Sequence, residues 1–113
     1  MRGGAYLARI DDLVLKNALI ANYEGEIKDR KPHGIGCAYY RSGGRYEGSW
    51  KEGKRSGYGK EFYPDGTLRY EGNWENGLRS GYGKSYYTTG ELAYEGEWSK
   101  DKPVNYPESY LTP

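Results

Sequence analysis

Two residues of this chain carry side chains that ordinarily ligate metals or act as nucleophiles: His33 and Cys37, the single histidine and the single cysteine. A structural zinc site closes with four Cys or His ligands. A Cys–His nucleophile needs a third orienting group and a pocket, and no family signature surrounds Cys37. Neither chemistry is predicted here. His33 and Cys37 stand in slots that a later copy of the same pattern fills with Ser56 and Lys60, so they read as drifted repeat positions. One cysteine forms no internal disulfide, which makes a reducing compartment the default. The Gly-x-Gly segments at 34–36 and 57–59 lack the βαβ unit of a nucleotide loop. Asp65-Gly66 lacks the other acids of a calcium loop. Glu47, Glu71 and Glu95 recur at one offset, about a repeat apart. They read as a solvated ladder facing Arg45, Arg69 and lysines rather than as an acid–base pair. No catalytic residue, metal or cofactor is expected, and the chain does not read as an enzyme.

What positions these residues is a repeat. Residues 46–60, YEGSWKEGKRSGYGK, return at 70–84 as YEGNWENGLRSGYGK. The leading tyrosines, Tyr23, Tyr46, Tyr70 and Tyr94, lie 23, 24 and 24 residues apart. A fixed period of this size marks a tandem array. Alternation within the unit reads as a β-hairpin. Tyr46, Gly48 and Trp50 share one face of the first strand, with Glu47 and Ser49 on the other. In the second strand Tyr58, Lys60 and Phe62 oppose Gly57, Gly59, Glu61 and Tyr63. Residues 51–56 read as a polar turn, and 64–67 (PDGT) as a tight turn into the next unit, replaced by 88–91 and 41–44 in the others. Glycine normally weakens a strand. Its recurrence at Gly48/Gly72/Gly96, Gly57/Gly81 and Gly59/Gly83 predicts aromatic rings laid over bare backbone, as seats for Trp50, Trp74, Trp98 and the tyrosine column.

Totals agree with that picture. The 113 residues amount to one domain, and 14 Tyr, 3 Trp and 18 Gly imply a thin aromatic core spread along the array. With 17 basic residues against 16 acidic ones there is no general case for nucleic acid. No run approaches the ~18 apolar residues of a membrane-spanning helix. Residues 1–20 do not read as a secretory signal, so a cytoplasmic protein is expected.

The unit YEGxWxxGxxxGYG resembles the MORN (membrane occupation and recognition nexus) repeat over residues 23–98. The first copy departs from it: Ile27 replaces Trp, Arg30 replaces Gly and Ile35 replaces Tyr. In the last copy Asn105 and Pro107 stand in glycine slots, and Pro103, Pro107 and Pro113 close the array. The expected fold is an all-β, elongated single-layer antiparallel sheet of about four tandem hairpins. Its parts are an N-terminal cap at 1–22, a degenerate repeat at 23–45, repeats at 46–69 and 70–93, and a degenerate C-terminal repeat at 94–113. Residues 5–16 read as a short amphipathic helix or N-terminal cap, with Leu13-Val14-Leu15 alternatively the last strand of a degenerate preceding repeat. The apolar stretch 5–20 is expected to fold back over the first unit near Ile27 and Ile35, or else Leu7, Ile10 and Val14 dock on a partner.

By resemblance, small proteins of this kind act as adaptors in cytoskeletal, ciliary or membrane-junction assemblies. Two binding readings follow. In one, a partner helix or extended peptide lies in an aromatic groove made by Trp50, Tyr58, Phe62, Trp74, Tyr82 and Tyr86. In the other, Lys54, Arg55, Lys60, Arg79 and Lys84 meet anionic lipid headgroups. Interleaved acids at Glu47, Glu52, Glu61, Glu71 and Glu75 weigh against clustered basic charge and favour the protein partner.

Overall fold

The computed structural model describes residues 19–105. Eight strands follow one another: β1 Ile20–Lys28, β2 Lys31–Tyr40, β3 Arg45–Lys51, β4 Lys54–Phe62, β5 Leu68–Glu75, β6 Leu78–Tyr86, β7 Leu92–Ser99 and β8 Lys102–Pro103. They lie side by side in chain order as one sheet, antiparallel throughout. The molecule measures 50 × 25 × 20 Å. The expected all-β array of tandem hairpins is what the chain forms. β1 begins at Ile20, so residues 20–22 belong to the first hairpin rather than to a separate cap. The reading of residues 5–16, and those of Pro107 and Pro113, fall outside the described residues.

Two turn types join the strands. Inside each unit only two residues leave the ladder: Asp29-Arg30, Glu52-Gly53, Asn76-Gly77 and Lys100-Asp101, all with positive φ. Such turns match the right-handed twist of the flanking strands. The turn expected over 51–56 is therefore shorter, because Trp50 pairs with Arg55 and Lys51 with Lys54. Between units, Tyr63 N–H donates to Thr67 O at 2.8 Å and Gly66 N–H to Tyr63 O at 2.9 Å. The Asp65 carboxylate accepts from Thr67 N–H at 2.8 Å, holding the loop closed. Hairpin tips also dock on the preceding unit: Gly53, Gly77 and Asp101 N–H donate to the carbonyls of Pro32, Arg55 and Arg79 at 2.8–2.9 Å.

The core is a file of rings on one face of the sheet. Tyr23, Tyr46 and Tyr70 have no exposed surface, and Trp50, Trp74 and Trp98 keep 4%. From Tyr23 to Tyr94 the rings meet edge to face at 5.1–5.5 Å between centroids, each contact worth about 0.5–1.5 kcal/mol beyond the area it buries. Each tyrosine lies along a rung of two paired glycines: Gly25↔Gly36, Gly48↔Gly59 and Gly72↔Gly83. A Cβ at Gly36, Gly59 or Gly83 would overlap the phenol of Tyr23, Tyr46 or Tyr70, and one at Gly48 would stand 2.9 Å from Tyr46 Oη. The hydroxyls then donate to the carbonyls of Glu26, Ser49 and Asn73 at 2.6–2.9 Å.

The seats differ from the expected ones in two ways. The tryptophans do not lie over glycine. Their Nε1 atoms donate to the carbonyls of Gly36, Gly59 and Gly83, the seat glycines of the unit before, at 3.1–3.2 Å. Gly57 and Gly81 seat no ring; a Cβ there would meet Ser49 and Asn73 side chains. They lie beside the bulges between Gly48 and Trp50 and between Gly72 and Trp74, and their φ of 83° and 75° explains the glycine.

Gly59→Ala is therefore expected to lower the unfolding free energy by about 3 kcal/mol, because the buried Tyr46 ring must move. Gly90→Ala, at a loop position with open space around it, should cost about 1 kcal/mol, for backbone conformation alone. Urea midpoints that coincide would contradict the seating of the ring.

Candidate functional site

The Gly48↔Gly59 rung decides which side chains share a face. Gly59 stands on the tyrosine side, so alternation turns Tyr58, Lys60 and Phe62 to the other. The aromatic groove expected from sequence is thus divided. Trp50 and Trp74 are buried in the packed face, while Tyr58, Phe62, Tyr82 and Tyr86 lie together on the open one.

On the packed face two arginines lie over the ring file. Arg55 donates from Nη1 to Tyr40 Oη at 3.0 Å and from Nη2 to Gly77 O at 2.7 Å. Its guanidinium carbon stands 4.5 Å from the Trp74 centroid, a cation–π contact. Arg79 lies 5.5 Å from both Tyr70 and Trp98 and pairs with Glu61 at 3.1 Å, where both side chains are nearly buried. The glutamate also receives Arg69 at 3.6 Å, so Arg69 pairs on this face rather than with the Glu71 column. Beside them is a cavity of about 220 Å³ lined by Tyr63, Arg69, Arg79, Ser85, Trp98 and Asp101, among others. Ser85 Oγ and Arg79 Nε make no hydrogen bond among the described residues. Both guanidiniums of the lining are paired with carboxylates, Arg69 and Arg79 with Glu61 behind the cavity wall and Arg79 also with Asp101.

The cations proposed for lipid do not share one surface. Arg55 and Arg79 serve the ring file. Lys60 and Lys84 project from the open face, and Lys54 is exposed next to a hairpin tip. His33 Nδ1 accepts from Glu52 N–H at 3.2 Å. Cys37 sits in register with Glu24 and Glu47, and partial burial pushes its thiol up. Among the described residues no three His, Cys, Asp or Glu side chains gather as a metal site, and no helix is long and apolar enough to cross a membrane.

The open face is ordered in rows that cross the strands. One row carries Ile35 on β2, Tyr58 on β4 and Tyr82 on β6, which are 60%, 54% and 49% exposed; Ser49 on β3 and Asn73 on β5 stand between them, and Glu97 on β7 stands beyond Tyr82. The next row runs Glu24, Cys37, Glu47, Lys60, Glu71, Lys84, Glu95 in unbroken cross-strand register. Carboxylates of this row hold the tyrosines. Tyr58 and Tyr86 donate to the two oxygens of Glu71 at 3.3 and 2.9 Å, Tyr39 donates to Glu24 at 3.3 Å, and Tyr82 donates to Glu95. Burial first, then Glu71, pushes the Tyr86 phenol up to about 12. Arg45 pairs with Glu47 at 2.8 Å and places its guanidinium 3.9 Å from the Phe62 centroid. Sequence reasoning missed Ile35 and Tyr39 as parts of this surface; it placed Arg45 beside the glutamate row but not over Phe62. The signal was present in their offsets: Ile35 occupies the slot of Tyr58.

A family model described as MORN repeat matches four consecutive segments, residues 23–45, 46–68, 70–91 and 94–106. No curated protein matches the chain.

Burial pushes the phenols of Tyr46 and Tyr70 well above the ordinary value of 10.0. In the unfolded chain they ionise near that value, so stability is fully present below about pH 10 and is lost as pH rises beyond it. Each phenol contributes a slope of about 1.4 kcal/mol per pH unit. Urea midpoints should hold from neutral pH to about 9.5 and fall above 10, and Tyr70→Phe should flatten that fall by one proton. A midpoint indifferent to pH up to about 11 would contradict the burial of these hydroxyls.

Proposed function

The chain belongs to the MORN-repeat family, and from that premise we propose that it is a non-catalytic scaffold that grips a partner protein across its open face. The observation that supports this reading is the row Ile35, Tyr58 and Tyr82, three large side chains about half exposed in equivalent slots of successive units. Tyrosine supplies large contact area at low entropic cost, and the Glu71 and Glu95 contacts fix these rings before any partner arrives. Successive members of the row are two strands apart, about 10 Å. Seven residues of an α-helix rise about 10.5 Å. A helix crossing the strands with apolar residues seven apart would meet Ile35, Tyr58 and Tyr82 in turn, with Phe62 and Tyr86 along its other flank. Family resemblance favours a cytoplasmic role in a cytoskeletal or ciliary assembly.

The lipid reading loses support from two of its five cations, because Arg55 and Arg79 already lie on rings and carbonyls. Lys60 and Lys84 alternate with Glu47, Glu71 and Glu95, which offsets the attraction that clustered basic charge would exert on an anionic bilayer.

The double variant Tyr58→Ser/Tyr82→Ser should keep the circular dichroism of the parent and lose the protein captured by the wild-type chain from its native source. Capture that survives the double substitution overturns the assignment of the face. Flotation with anionic liposomes that is abolished by Lys60→Glu/Lys84→Glu would favour lipid instead.

A further inference from the structure

The open face has a regularity that a foreign helix does not need. Even-numbered strands carry the large and basic side chains: Tyr58 and Lys60 on β4, Tyr82 and Lys84 on β6. Odd-numbered strands carry small or acidic ones in the same rows: Ser49 and Glu47 on β3, Asn73 and Glu71 on β5. Lys60 is in register with Glu47 on one side and Glu71 on the other. Among the described residues neither Lys60 nor Lys84 forms an ion pair within its own sheet.

We infer that the open face is self-complementary and that a second copy of this chain docks on it, the two sheets related by a twofold axis running along the strands between β4 and β5. The inference rests on the open face being the contact surface proposed above, and it names a second copy of this chain as the protein which that face grips. Such an axis exchanges even strands with odd ones: β4 faces β5 of the second copy, and β6 faces β3. Rows are preserved, because the axis runs parallel to the strands. Lys60 therefore meets the second copy's Glu71, and Lys84 its Glu47, each twice by symmetry. Tyr58 projects onto Asn73 and Tyr82 onto Ser49, so large side chains enter gaps left by small ones. An axis parallel to the strands that set even strands over even ones, passing along β4, would stack Lys60 on Lys60.

Geometry allows this contact. Sheets pack face to face about 10 Å apart, a gap that an extended lysine and a glutamate span together. Twisted sheets meet at about −30°, which disturbs register least near the axis, where Lys60 and Glu71 stand. The six central strands span about 29 Å, which over the 25 Å width offers about 700 Å² on each copy, close to the ~800 Å² per partner of a standard stable interface. A twofold contact of this kind closes on itself and stops at two copies.

Charge reversal tests the axis. The wild-type chain should sediment at twice 12.9 kDa across the micromolar range. Lys60→Glu sets carboxylate over carboxylate twice, and Glu71→Lys sets ammonium over ammonium twice. Like charges so placed repel across the interface, so each variant should associate about 100-fold more weakly. Mixing the two variants should restore the dimer, because the carboxylate introduced at position 60 then faces the ammonium introduced at position 71. A role confined to one chain cannot be rescued by mixing. A wild-type chain that stays monomeric overturns the inference, as do single variants that still dimerise or a mixture that does not. A monomeric wild type that still needs Tyr58 and Tyr82 for its partner would remove self-docking and leave the scaffold reading standing. A dimer abolished by charge reversal, with a partner indifferent to Tyr58→Ser/Tyr82→Ser, would do the reverse.

Discussion

A tyrosine ring lying flat on two paired glycines is the contact on which this structure depends. A single-layer sheet has no second layer to bury its apolar face, and the chain solves this by laying its own side chains along its own backbone. Removing Cβ at both positions of a rung lets Tyr46 reach across β4 and hydrogen-bond to Ser49 O on its own strand. Glycine costs strand stability, and a fully buried aromatic returns more, since each ring removes on the order of 150–250 Å² from water.

Continuity between units follows from that contact. The carbonyl of each seat glycine is free to accept Trp50, Trp74 or Trp98 from the unit after it, so no ring file is complete within one hairpin. Arg55 and Arg79 then lie over the tryptophans of the following units, and Arg55 also bonds to Gly77 O, the next hairpin tip. At the first unit Pro32 fills the arginine slot and is fully buried, and Ile27 packs on the file where the others carry tryptophan. At the last unit the same slot holds Pro103.

Period, hairpin and glycine recurrence were legible because each is a pattern of residue types at fixed offsets. The division of faces was not. In the segment around Gly57, Tyr58 and Gly59 glycine and tyrosine alternate, so either parity of the second strand fits a ring-bearing face. Only the pairing of Gly48 with Gly59, followed by the bulge at Gly57, assigns Tyr58 to the open side. Arg55 and Arg79 looked like loop cations because Lys54, Ser56 and Ser80 flank them. They become ring partners once the turn tightens to two residues. The same parity leaves Lys60 and Lys84 on the open face among carboxylates, which is why its charge alternates instead of clustering.

If the ring needs the bare rung, the two must be energetically coupled. A double-mutant cycle on Tyr70 and Gly83 measures this directly, using Tyr70→Val, a side chain too short to reach the rung, and Gly83→Ala. Chemical denaturation of the four proteins should show that Gly83→Ala is costly beside Tyr70 and nearly free beside valine, a coupling of about 2–3 kcal/mol. Costs that simply add, within about 0.5 kcal/mol, would mean that no ring occupies the glycine rung, and the account of the fold would be wrong.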